Sequence, residues 1–193
     1  VPTTPLRKDA ARNWERIVRV ARELIDDGAP VQLNDVARRA GLGVGTVYRH
    51  FPTAEALVEA VAAPGLEELV AAAERAAAEP DPWRAFDVFL RRVVEVQVTD
   101  AAVPGVASSP TDALPRTTEL KLSMWTVGGA VLDRVRVAGL VRADLTADDL
   151  TPLVCGVAHA VGLAGGAREQ RVATAHRYLD LLLGGLRTPA PAA

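Results

Sequence analysis

The 193-residue sequence predicts an all-α fold of about nine helices, on three observations. Alanine, leucine and arginine, all strong helix formers, dominate, and alternating β-branched runs are scarce. Apolar residues recur at spacings of three and four over long stretches. Glycine and proline gather between those stretches, where helices must end.

The first helix is predicted over Lys8–Asp27, with Trp14, Ile17, Val18, Ala21, Leu24 and Ile25 on one stripe and Gly28 as the left-handed stop. Two short helices follow, Leu33–Ala40 and Val44–His50, separated by Gly41-Leu42-Gly43. A fourth starts at Thr53, a good N-cap with Glu55 in the first turn. Pro64-Gly65 is expected to kink or break it, because proline removes a donor and clashes with the preceding turn. Later helices are expected over Pro82–Asp100, Thr117–Ala138, a segment opened by Asp144–Asp149 and running to Ala164, and Ala167–Leu186. Residues Ala101–Pro115 read as a loop or short broken helix. The Pro- and Ala-rich tail is expected to be disordered.

Composition narrows the function. Hydrophobic residues make up 49% and charged residues 24%, which suits a globular chain with a real core. The single Cys155 excludes a disulfide-stapled scaffold and fits a reducing compartment. Aromatics at 4% are too few for a base-stacking platform on single strands. No apolar run follows Arg7 and Lys8, so no signal peptide is expected and the chain reads as cytoplasmic. Leu150–Ala167 carries no charge but is short and broken by Pro152 and glycines, so it is expected to be a buried helix, not a membrane span. Charge is uneven: residues 1–50 hold nine Lys/Arg against six Asp/Glu, leaving thirteen against eighteen beyond. A basic head on an acidic body would meet phosphates with the head.

The two short helices have helix-turn-helix spacing. Ala37 is small where the helices meet, and Gly41, four residues on, suits a turn with positive φ. Val36, Ala40, Leu42 and Val47 are the apolar anchors. Val44–His50 is then the recognition helix, laid in a major groove, with Val44, Thr46, Tyr48, Arg49 and His50 as phosphate or base-edge partners.

The segment from Asp35 to Leu57, above all Gly45-Thr46-Val47-Tyr48 followed by His50-Phe51, resembles the signature of the TetR family of bacterial transcriptional regulators. The resemblance is close over residues 8–60. It implies a three-helix DNA-binding head over residues 1–52, and a larger helical ligand-binding and dimerisation body over residues 53–187 ahead of the disordered tail, 188–193. It also implies a homodimer formed through the last two helices. On the family's pattern Thr46, Tyr48 and His50 grip the phosphate backbone, Phe51 packs in the head's core, and Val44 and Arg49 read bases. Gln32, Gly43 and Ala54 stand where the family usually has Ser or Thr, Ser, and Lys. Those departures shift affinity toward Arg7, Lys8 and Arg38.

The function this implies is a ligand-responsive dimeric repressor on palindromic double-stranded operator DNA, released by a small-molecule inducer. Pocket candidates on the middle helices are Trp83, Phe86, Phe89, Leu90, Val93, Met124 and Trp125, with His159 as a polar contributor one turn from Cys155. For the dimer interface, Gly156, Ala160 and Ala164 allow close approach, and Val172, His176, Leu179, Leu182 and Leu183 recur at three and four. Three histidines and one cysteine make no metal cluster, and no cofactor is expected. No nucleophile–base pair or phosphate-cradling loop points to an enzyme. An all-helical carrier or enzyme with an incidental head, and an activator of the same fold, are the competing readings.

Overall fold

The computed structural model describes residues 5–188. Nine helices are present among them and no strand: α1 Pro5–Asp26, α2 Leu33–Ala40, α3 Val44–His50, α4 Ala54–Ala78, α5 Pro82–Thr99, α6 Val103–Ser108, α7 Pro115–Val137, α8 Ala147–Ala164 and α9 Arg168–Leu186.

Helices α1 to α3 pack around Ile17, Val20, Ala21, Leu24, Leu33, Val36, Ala37, Ala40, Val47 and Phe51, all buried. The stripe on α1 is narrower than its sequence spacing suggests: Trp14 is 41% exposed and only tilts toward Phe51, 6.3 Å between ring centres. Gly28 and Gly41 both lie at positive φ, 69° and 61°, the region where a Cβ would be strained.

Helix α4 starts at Thr53, whose side chain accepts from Ala56 N–H at 3.1 Å, and runs through Pro64 without a break. Proline cannot serve the Ala60 carbonyl. The neighbouring Val61 carbonyl takes a 2.6 Å hydrogen bond from Arg22 of α1, which compensates the weakened turn. Arg134 of α7 closes the other end of α4, donating to the carbonyls of Ala77, Glu79 and Pro80 at 3.0, 2.6 and 3.1 Å. The carboxylate of Glu59, 5% exposed, accepts from Ala113 and Leu114 N–H at 2.6 and 2.8 Å, and so caps the start of α7.

Around α4 and α5 the body packs α6, α7, α8 and α9. Its core centres on Leu66, Leu69, Phe86, Leu90, Val94, Val131, Val135, Leu179 and Leu183. Arg91 of α5 is held between Asp87 and Asp180, at 2.9 and 2.6 Å, and ties α5 to α9. Helix α8 opens with a reciprocal capping box between Thr146 and Asp149.

Two expectations are corrected here. The uncharged stretch from Leu150 is not a buried helix: in α8 only Val154 and Val161 are buried, while Leu163 is 78% exposed. The tail is ordered as far as Thr188, because Val141 and Arg187 form an antiparallel bridge and Thr188 N–H donates to Leu140 O at 3.2 Å. The rest of the predicted tail, 189–193, lies outside the described residues.

Candidate DNA-recognition face and ligand cavity

The turn between α2 and α3 is fixed by backbone geometry. Gly41 takes the left-handed conformation, its N–H reaches Arg38 O at 3.2 Å, and Leu42 N–H reaches Ala37 O at 2.9 Å. Val47 faces inward at 0% exposed, and Phe51 closes α3 with its N–H on Val47 O at 2.8 Å. With those two anchored inside, the opposite face of α3 is forced outward. Val44 and Tyr48, one helical turn apart on this face, are 46% and 47% exposed. Gly45 and Arg49 share that face, linked by Arg49 Nε donating to Gly45 O at 3.1 Å. Thr46 and His50 are half-buried, and the His50 ring lies 6.4 Å from that of Phe51.

Lys8 and Arg38 are exposed on α1 and α2; Arg38 is paired with Asp35 at 2.7 Å. The side chain of Arg7 lies outside the described residues. Sequence spacing missed Arg16, whose guanidinium lies 3.2 Å from where a Cβ on Gly41 would stand. It adds a cation beside the turn. The helical period marks Arg16 only as polar, so a fold is needed to find it.

A cavity of about 130 Å³ opens between α5, α7 and α8, with Leu69 of α4 and Ala107 of α6 completing its wall. Phe89, Leu90, Val93, Met124 and Trp125 line it, as do Gln97, Leu132, Val154 and Cys155. Gly128 makes room by lacking a side chain: a Cβ there would stand 3.1 Å from the Phe89 ring.

Three pocket candidates lie elsewhere. Phe86 is 1% exposed in the solid core. Trp83 packs against Phe86 at 6.3 Å and under the Arg187 guanidinium at 4.5 Å. His159 is exposed on α8 and does not line the cavity. The sequence missed Gln97 because a polar residue inside an apolar stripe carries no periodic signal.

The cavity wall connects to the head. One turn beyond Gln97, Asp100 ends α5 and binds Arg22 of α1 through two contacts, at 2.5 and 3.1 Å. Asp100 also accepts from Ala102 N–H at 3.0 Å, at the entry to α6. At Gly65, α4 passes so close that a Cβ would overlap Val103 Cγ2 and lie 3.0 Å from Asp100 Oδ2.

The residues expected at a dimer interface divide. Gly156 and Ala164 are exposed and Ala160 is half-buried. Leu179 and Leu183, 0% and 3% exposed, belong to the protomer's own core, which removes them from any partner. Val172 and Leu182 are half-buried against that core. His176 Nε2 sits 2.8 Å from Glu95 of α5, so it faces inward as well. The apolar residues that α8 and α9 do leave outside are Leu163 and Leu181, 78% and 72% exposed, with Leu153 at 37%. No metal-holding group of three ligands occurs among the described residues, and none of their helices is long and apolar enough to cross a membrane.

Residues 17–61 match the family model described as bacterial regulatory proteins, tetR family, and residues 81–188 match the C-terminal domain of SbtR-like transcriptional regulators. The chain belongs to the TetR family. The TetR transcriptional regulator SCO0520 of Streptomyces coelicolor is similar over 92% of this chain and 99% of its own, at 31% identity and a TM-score of 0.54. An HTH-type transcriptional regulator of Staphylococcus aureus (strain USA300) is 42% identical over 48 residues, 24% of this chain. The chain spans about a quarter, 26%, of the length of that curated relative. FadR of Bacillus subtilis, solved with stearoyl-CoA, shares the fold at a TM-score of 0.63 and 16% identity, over 90% of this chain and 99% of its own. This TetR-family chain is therefore a transcriptional regulator with an amino-terminal DNA-binding domain.

Proposed function

We propose that this TetR-family chain is a dimeric repressor that holds palindromic operator DNA and lets go when a small molecule enters the cavity. The observation that carries the proposal is the outward face of α3, Val44, Gly45, Tyr48 and Arg49, on a head that also exposes Lys8, Arg16 and Arg38. Tyr48, Thr46 and His50 are assigned to phosphates, Arg49 and Val44 to base edges. Residues 1–52 act as the head and residues 53–187 as the body.

Two copies meet through the outer faces of α8 and α9, where Leu163 and Leu181 lie open to solvent. Burying two such leucines per copy favours association. The heads must then sit one groove repeat, about 34–36 Å, apart. A ligand that prefers a cavity shape with the wrong separation shifts the population by its difference in affinity between the two states. The route from cavity to head is α5, Asp100 and Arg22. FadR, which was solved with stearoyl-CoA, supports ligand binding by this fold.

The test is selection of bound duplexes from random sequence, followed by affinity measurement against salt. A palindromic site is expected, with affinity falling as salt rises, and Lys8→Ala or Arg38→Ala lowering the log–log slope by about one each. Affinity indifferent to salt, or no duplex selected, would refute the reading.

A further inference from the structure

We propose that the cavity takes an apolar organic cation, with its hydrocarbon ring inside and its ammonium group at the mouth, where Trp125 and Asp148 stand. The inference deepens the inducer reading above and rests on it.

The interior sets the body of the ligand. The cavity holds about 130 Å³, close to the about 150 Å³ of an engineered cavity that takes benzene. Phe89, Leu90, Val93, Met124, Leu132 and Val154 give it apolar walls. One six-membered ring fills such a space, and a larger ligand carries its remainder outside.

The mouth sets the charge. Residues that both line a cavity and meet solvent mark its opening. Here they are Trp125 of α7, 56% exposed, and Ala147, Asp148 and Thr151 of α8. No Lys, Arg or His is among the lining residues. Three carboxylates, Asp144, Asp148 and Asp149, gather where α8 begins, against the one guanidinium of Arg142. Asp144 takes that guanidinium at 2.5 and 2.7 Å, and Asp149 accepts from the N–H and hydroxyl of Thr146 at 2.9 and 2.6 Å. Asp148 is left without an ion pair among the described residues. The α8 macrodipole opposes them with about half a positive charge, too little to cancel the excess of carboxylates. The mouth is therefore negative.

Trp125 adds a second attraction. Its indole stacks on no other ring and lies under no guanidinium among the described residues. A cation within about 6 Å of an indole face is drawn to it by the ring quadrupole. A ligand carboxylate would meet like charge at Asp148 and find no counter-charge further in. The Thr151 hydroxyl and Cys155 thiol are neutral and serve heads of any charge, so they do not discriminate. Charge is what the mouth selects.

Calorimetric titration of the full chain with benzyltrimethylammonium, benzyl methyl sulfone and benzylsulfonate tests this. The three share a benzyl group and a tetrahedral head and differ in charge. An exposed cation–π contact together with an exposed ion pair makes the ammonium about three- to tenfold tighter than the sulfone, with the sulfonate weakest. Added salt narrows the gap between ammonium and sulfonate. Asp148→Asn and Trp125→Leu are each expected to reduce the preference for the ammonium about two- to threefold. Gly129→Leu, which sends a side chain into open space on the lining, is expected to abolish binding of all three. Equal binding of ammonium and sulfone by the native chain overturns the proposal. So does a preference that survives in the Asp148→Asn, Trp125→Leu double variant, sulfonate binding as tight as the ammonium, binding that persists in Gly129→Leu, or no binding of any probe. Selective binding of the ammonium with no effect on the DNA complex upholds the ligand class and refutes the inducer reading alone.

Discussion

Removing the Arg22–Asp100 link should uncouple the head from the ligand cavity at a measurable cost in stability. The guanidinium donates three hydrogen bonds, to Asp100 Oδ1 at 2.5 Å, Asp100 Oδ2 at 3.1 Å and Val61 O at 2.6 Å, and pairs more loosely with Asp26 at 3.9 Å. Its side chain is 29% exposed and that of Asp100 20%. An exposed ion pair contributes about 0–1 kcal/mol, whereas hydrogen bonds to charged groups contribute about 1.5–3 kcal/mol each. At this intermediate exposure a coupling of about 1–2 kcal/mol between the two side chains is reasonable. Arg22→Ala also frees the Val61 carbonyl beside Pro64, so its own cost rises to about 2–3 kcal/mol. Asp100→Ala costs less than Arg22→Ala. Urea unfolding of the native chain, both single variants and the double variant, at one protein concentration, gives the coupling from the cycle. DNA affinity with and without a compound that releases the native complex gives the functional half. Arg22→Ala should bind that compound normally yet keep more of its DNA affinity. Costs that add to within about 0.3 kcal/mol, or an unchanged response to the compound, would refute the reasoning.

Other outcomes follow from the same geometry. Gly65→Ala forces a methyl into Val103 and toward Asp100, and overpacking of that kind should cost about 1–3 kcal/mol in thermal or urea unfolding. Tyr48→Ala and Thr46→Ala should weaken binding on every site of a panel, whereas Arg49→Ala should change which sites are preferred; uniform loss for Arg49→Ala counts against its role. The Glu68 carboxyl is held below its ordinary value of 4.5 by Arg75 first and Arg92 second. Its stabilisation is present above pH 4.5 and lost as pH falls through the lowered value. Glu68→Gln should accordingly flatten the acid side of a melting-temperature profile. Leu163→Glu with Leu181→Glu should give monomers by sedimentation and lose affinity for palindromes, with melting little changed because both side chains are exposed.

Much of the head was legible because its constraints are local. Gly41, Ala37 and Val47 are fixed by one tight turn, so residue type and spacing specify α2 and α3 to the residue. The body was legible only as helices. In α9 leucines occur on more than one face, and period alone cannot tell Leu179, turned into the protomer, from Leu181, turned out of it. That Pro64 leaves α4 unbroken was not legible, because the weakened turn is served by Arg22, 42 positions earlier. Gln97 and Arg16 escaped for the same reason. Each matters through a neighbour that is remote along the chain.

The bare backbone at Gly65 has a mechanical consequence. Where α4 crosses α6 the Val103 side chain packs directly on the backbone of Gly65, and protein interiors compress very little. A push on Val103 from the cavity side meets a stiff strut whose far end carries the head. On the proposed route from cavity to head Gly65 thus leaves no slack, and enlarging it would jam the joint instead of cushioning it.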